Sequence, residues 1–164
     1  MSVQIALLRG VNVGAENRIR MEELRAALEA AGFARVETYI QSGNVLFDSP
    51  AVPEENARAI ARVLSDGFGI YTDVIVRTAE ELFALLGALP FGGEEIARAQ
   101  AANPDVECLY AFFFPSALAD ETRERLLRLA GGNERLAFLG RDAYLLLDGS
   151  IRLSKLAAAL QKPA

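Results

Sequence analysis

The apolar positions of this chain fall into short blocks whose periodicity changes from two to about 3.6 and back. Val3–Leu8 is a compact apolar run and predicts a buried strand. Met21, Leu24, Ala27, Leu28 and Ala31 recur at helical spacing, so Met21–Ala31 predicts a helix. Glu22 and Glu23 suit its first turn, and Gly32 suits the left-handed position that closes it. Val36–Ile40 and Val45–Phe47 predict two strands joined as a hairpin through Ser42-Gly43-Asn44. Pro53, with Glu54 and Glu55, opens a second helix whose stripe is Ala57, Ile60, Ala61, Leu64 and Phe68. Gly67 and Gly69 bracket its end, and Tyr71–Arg77 predicts a fourth strand.

The first half thus reads β-α-β-β-α-β, the ferredoxin-like order. Thr78 and Glu81 form a capping box for a third helix running to about Leu89, broken by Pro90-Phe91-Gly92-Gly93. Glu94–Ala102 reads as a short helix or an ordered loop, ended by Asn103-Pro104. Val106–Phe114 is nearly all apolar and predicts a central strand covered on both faces. Asp120–Ala130 follows as a helix, then a hairpin of Leu136–Leu139 and Ala143–Leu147, then a final helix over Ser154–Gln161. The expected fold class is α+β, built as two tandem ferredoxin-like subdomains with the second lacking its closing strand. Their expected bounds are residues 1–78 and 105–164, with a helical bridge over 79–104.

A right-handed crossover makes the first two strands parallel. The loop after the first strand and the start of the hairpin then share one end of the sheet. Two glycine-asparagine turns meet there: Arg9-Gly10-Val11-Asn12-Val13-Gly14, and Gln41-Ser42-Gly43-Asn44. Arg9, Arg18 and Arg20 against Glu16 give the segment 9–20 a local positive excess. One reading makes this rim a pocket for a small anionic ligand, a phosphate or carboxylate, using Arg9, Gly10, Asn12, Gly14, Asn17, Arg18, Gln41, Ser42, Gly43 and Asn44. The other reading is that the glycines allow positive φ and the asparagines serve loop backbone. The spacing is neither a phosphate-loop motif nor a dinucleotide fingerprint, so no nucleotide is inferred.

Composition narrows the chemistry. The 164 residues suit one domain or two small subdomains, and 52% apolar content supports a core without a disulfide or metal staple. The chain has no histidine, which removes histidine-dependent zinc sites, Ser-His-Asp triads and imidazole acid–base catalysis. No metal site and no cofactor are expected. Cys108, the one cysteine, sits in an apolar run and reads as packing. A net charge of −5 disfavours nucleic acid as a partner, and Val45-Leu46-Phe47 offers one aromatic where an RNA-binding sheet displays several. No signal peptide and no stretch approaching 18 apolar residues are evident, so no membrane partner is expected and the cytoplasm is the expected location. The expected assembly state is a monomer or a weak homodimer. A protein-interaction or homo-oligomeric module is the alternative to ligand binding, and no residue pattern names a reaction.

The motifs resemble a known family. Ala6-Leu7-Leu8-Arg9-Gly10-Val11-Asn12-Val13-Gly14 and Thr38-Tyr39-Ile40-Gln41-Ser42-Gly43-Asn44-Val45 are similar to those of the bacterial domain-of-unknown-function family 1697. The likeness continues through Val74–Arg77, Pro90-Phe91, Gly140-Arg141 and Ser154-Lys155-Leu156. The resemblance implies two similar ferredoxin-like subdomains and no established activity. It also implies a Thr-x-Arg-Asn-Trp-Asn-Thr-like segment after the Ser-Lys-Leu helix, which this tryptophan-free sequence does not contain. Lys155 is a further candidate. Adjacent residues on a helix point apart, so Ser154 and Lys155 read as a helix start beside an exposed or anion-facing lysine, not as a nucleophile and its base.

Overall fold

The computed structural model describes residues 1–41 and 43–163. They form an α+β protein with two antiparallel sheets and six α-helices among the described residues. The chain divides into two units, Met1–Gly87 and Ala88–Ala164.

The first unit runs β1 (Ser2–Leu8), α1 (Met21–Ala30), β2 (Ala34–Tyr39), β3 (Asn44–Ser49), α2 (Pro53–Phe68), β4 (Val74–Thr78) and α3 (Ala79–Gly87). Its sheet has the order β2-β3-β1-β4, with every neighbouring pair antiparallel. Alternation along the strands sends Ala6, Leu8, Val36, Val45, Phe47 and Val76 into one core with Leu24 and Leu28 of α1 and Ile60 and Leu64 of α2. Burying each large side chain contributes about 1.5–3 kcal/mol, which outweighs the weak intrinsic helicity of segments this short.

Local signals set the element ends. Pro53 occupies the first turn of α2, and Gly69, at φ 64°, caps it by donating its N–H to Ser65 O at 3.0 Å. The capping box of α3 is formed reciprocally: Thr78 N donates to Glu81 Oε2 at 2.9 Å, and Glu81 N to Thr78 Oγ1 at 3.1 Å. Gln4, Ser49 and Asn56 are buried but joined. Asn56 Nδ2 donates to Gln4 Oε1 at 2.8 Å, Ser49 Oγ to Asn56 Oδ1 at 3.1 Å, and Gln4 Nε2 to Ala51 O at 2.8 Å. This network fastens the β3–α2 connection to β1.

Several strand ends differ from the sequence expectation, and two of the differences lie beside the loop after β1 and the β2–β3 turn. β4 begins at Val74, not Tyr71, because the preceding residues are tied to the loop after β1. Arg9 N donates to Asp73 O at 3.2 Å and Thr72 Oγ1 donates to Arg9 O, which leaves Tyr71 exposed. β2 stops at Tyr39, and Ile40 turns out of the strand at φ 45°.

The second unit runs α4 (Gly93–Ala102), β5 (Leu109–Phe112), α5 (Asp120–Leu129), β6 (Arg135–Leu139), β7 (Asp142–Leu146), a 3-10 turn (Ile151–Leu153) and α6 (Lys155–Gln161). Its sheet has the order β5-β7-β6. Leu126, Ala143, Leu145, Leu156 and Leu160 form its core. The run Val106–Phe114 was expected to be the central strand, yet β5 is four residues long and lies at the sheet's edge. The central strand is β7, buried at all five positions. Buried Cys108 belongs to the packing beside β5: its carbonyl accepts the Leu147 N–H at 2.8 Å. Beyond β5, the buried Asp142 carboxylate takes the Phe114 N–H at 3.0 Å, ending the ladder.

Candidate functional site

Strand register brings three loops to one end of the first sheet. Leu8 at the end of β1 lies opposite Val74 at the start of β4, and Leu7 lies opposite Asn44 at the start of β3. The loop after β1, the β2–β3 turn and the segment before β4 therefore share a rim, as chain order implied. Ser42 lies outside the described residues.

Most of the expected site residues build this rim. Asn12, held at φ 56°, uses its whole amide: Oδ1 accepts the Ile19 N–H at 2.9 Å, and Nδ2 donates to Ile19 O at 3.0 Å and Gln41 O at 3.2 Å. It closes its own loop and ties that loop to the β2–β3 turn. Asn17 Nδ2 donates to Gly10 O at 3.4 Å. Gly43 accepts the Leu8 N–H at 3.2 Å at φ 80°, and a Cβ there would sit 3.1 Å from Leu8 Cβ and 3.2 Å from Val11 Cβ. Gly10 and Gly14 have positive φ in open space, so only their backbone conformation calls for glycine. Asn44 is the first residue of β3, paired with Leu7 and Tyr39. Arg9 is ion-paired with Asp73 at 3.3 Å.

What remains for a ligand is a groove of about 630 Å³ between this loop, the start of α1 and the β2–β3 turn. Asn12, Arg18, Gln41 and Arg20, one of the three arginines of the expected anion pocket, line it, as do Glu22, Glu23, Thr38 and Ile40, which sequence reasoning had not placed in the site. Glu22 and Glu23 carried the signal only as first-turn acids, and Thr38 and Ile40 only as strand residues. The volume falls within the roughly 300–1,000 Å³ typical of small-molecule sites. Arg20 is the N-cap residue of α1, and no side chain caps that helix start. Its guanidinium lies 3.7 Å from both Glu22 and Glu23. Arg18 Nη2 donates to Gly14 O at 3.1 Å, and among the described residues no carboxylate lies within ion-pairing distance of it.

Lys155 belongs to the second unit, where it is the exposed first residue of α6. Ser154 is a helix cap. Its Oγ accepts the Ala157 N–H at 3.0 Å and donates to Glu134 Oε1. The hydroxyl is thus committed to the cap and to a carboxylate. Among the described residues, no cluster of acidic, cysteine or histidine side chains could hold a metal ion, and no helix is long and apolar enough to cross a membrane.

A two-unit α+β protein with a loop-built groove is therefore the class this chain represents. The chain belongs to the DUF1697 family of proteins of unknown function, which matches residues 1–144. No curated protein matches it in sequence. Among solved structures it is similar to the conserved bacterial protein SP0830 from Streptococcus pneumoniae, at 23% identity and a TM-score of 0.73, over 96% of this chain and 83% of that one. At that identity the likeness is one of fold.

Proposed function

We propose that the first unit binds a small ligand through a carboxylate or phosphate group, held in the groove by Arg18. The supporting observation is that Arg18 lines the groove with a guanidinium that, among the described residues, is engaged only by a backbone carbonyl, whereas Arg9 and Arg20 each face carboxylates. The backbone amides at the uncapped start of α1 add favourable partial charge on the same wall. Amide and guanidinium NMR shifts during titration with acetate and with inorganic phosphate test this. Shifts confined to Arg18 and residues 20–23, lost in Arg18→Gln and kept in Arg9→Gln, are expected. Absent shifts, or shifts unchanged in Arg18→Gln, would overturn it.

A second reading, a protein-interaction surface, draws on four apolar side chains exposed on the same rim: Val13 (69%), Tyr39 (62%), Ile40 (66%) and Tyr71 (84%). Light scattering at micromolar concentration separates the two, since a strict monomer removes self-association as the use of these residues. We also read both units as ferredoxin-like. The sheet order β2-β3-β1-β4 supports this for the first, and the order β5-β7-β6 matches three of its four positions for the second.

A further inference from the structure

An anion alone uses only half of the groove's charge. Arg18 and Arg20 share the lining with Glu22 and Glu23, both of which lie nearest Arg20, so a phosphate entering the groove meets two carboxylates as well as two guanidinium groups. The Arg20 contacts with those carboxylates are long, at 3.7 Å, and solvent-exposed, so both acids can share a second cation at little cost. The remaining lining is mixed: Asn12, Thr38 and Gln41 are polar, whereas Met21 at the start of α1 and the exposed side chain of Ile40 offer an apolar strip. A ligand that suits this set carries an anion and a cation on one small frame, with an apolar arm.

We propose that the ligand is a free α-amino acid with an apolar side chain. Its carboxylate pairs with Arg18, its ammonium group with Glu22 and Glu23, and its side chain lies along Met21 and Ile40. The inference rests on the anion reading above but adds to it: the cation and the apolar arm are separate requirements. It also explains why a groove offered to an anion keeps two glutamates that repel one. Those acids complement the α1 dipole in any case, so the experiment must show that they recognise a ligand.

Calorimetric titration of the full chain with L-leucine, N-acetyl-L-leucine, L-leucinamide and glycine provides that test. Leucine is expected to bind roughly tenfold or more tightly than either blocked analogue, and more tightly than glycine. Glu22→Gln with Glu23→Gln should abolish the preference for leucine over N-acetyl-leucine, weakening leucine while binding N-acetyl-leucine at least as tightly as the parent protein does. Arg18→Gln should weaken both. Equal affinity for leucine and N-acetyl-leucine would overturn the amino-acid assignment and leave the anion reading standing. Binding of leucinamide alone, or of none of the four, would overturn both.

Discussion

Replacing Asn12 with alanine isolates the device that shapes the rim. The substitution removes three hydrogen bonds, at 2.9, 3.0 and 3.2 Å, that join residues 12 and 19 and reach across to Gln41. At about 0.5–1.5 kcal/mol each they sum to roughly 1.5–4.5 kcal/mol, with the lower half favoured because the Gln41 carbonyl remains open to water. The backbone adds a second cost. Asn12 sits at φ 56°, where alanine is disfavoured by about 1–2 kcal/mol and asparagine is tolerated. The expected total is about 3 kcal/mol, or roughly 12–24 °C in the melting temperature of a unit this size.

Two companion variants separate the terms. Asn12→Gly loses the amide but not the backbone freedom, so it should recover about 1 kcal/mol relative to alanine. Asn12→Asp keeps the acceptor for Ile19 N but sets a carboxylate against the Ile19 and Gln41 carbonyls, so it should be no better than alanine. Urea unfolding followed by NMR on first-unit resonances is the suitable assay, because the two units need not unfold together. Asn12→Ala within about 0.5 kcal/mol of the parent protein would refute the argument.

Gly43→Ala should destabilise more than Gly10→Ala. Both impose positive φ, but only the former brings a Cβ against Leu8 and Val11, and equal melting points would contradict this packing. Asn56→Leu should cost about 2–4 kcal/mol by stranding the Gln4 and Ser49 groups, and Gln4→Met added to it should cost less than the two single changes together, as a double-mutant cycle in urea will show. Tyr110 in the second unit has its pKa raised, first by desolvation and then by the neighbouring Glu107 and Cys108. A raised phenol stabilises the fold below the unfolded value of about 10 and loses that contribution as pH rises through the folded value, so Tyr110→Phe should flatten the fall in stability above about pH 10. An identical pH profile in the variant would rule this out. Ile40→Asn should raise the melting temperature by relieving a β-branched residue at φ 45°, while weakening any ligand that rests on its side chain.

Features decided within a few residues of one another were legible in the sequence. Pro53, Gly69 and the Thr78–Glu81 box set helix ends through contacts no more than a turn away, and each stands where local pattern put it. The shared rim was legible because chain order and crossover handedness leave few arrangements of four strands. The extent of an apolar run was a poorer guide. Val106–Phe114 reads as central because it is apolar, but Asp142, 28 residues from Phe114, decides where its ladder stops. Tyr71 and Ile40 have strong strand propensity and lie outside the strands, because Thr72 and Asp73 are bound to Arg9 and the tight β2–β3 connection needs a left-handed residue. Asn12 reads equally as loop builder or ligand contact until its partner 29 residues away is known.

The sign of the rim changes for the same reason. Along the chain, Arg9, Arg18 and Arg20 outnumber Glu16, and the segment is positive. In space, Arg9 is held by Asp73 on the β4 side, while Glu22 and Glu23 enter the groove beside Arg20. The groove is therefore balanced in charge, although its two signs are carried by different side chains. A balanced site draws little from long-range steering, so discrimination has to come from the placement of the charges. In the proposed reading Arg18 carries that role, because Gly14, four residues back, holds its guanidinium through a carbonyl and no carboxylate among the described residues pairs with it. In that reading the glycine-asparagine turns would act on a ligand indirectly. Asn12 and Gly43 fix the wall on which Arg18 stands, and their loss should cost stability first, with ligand affinity falling only to the extent that the wall moves.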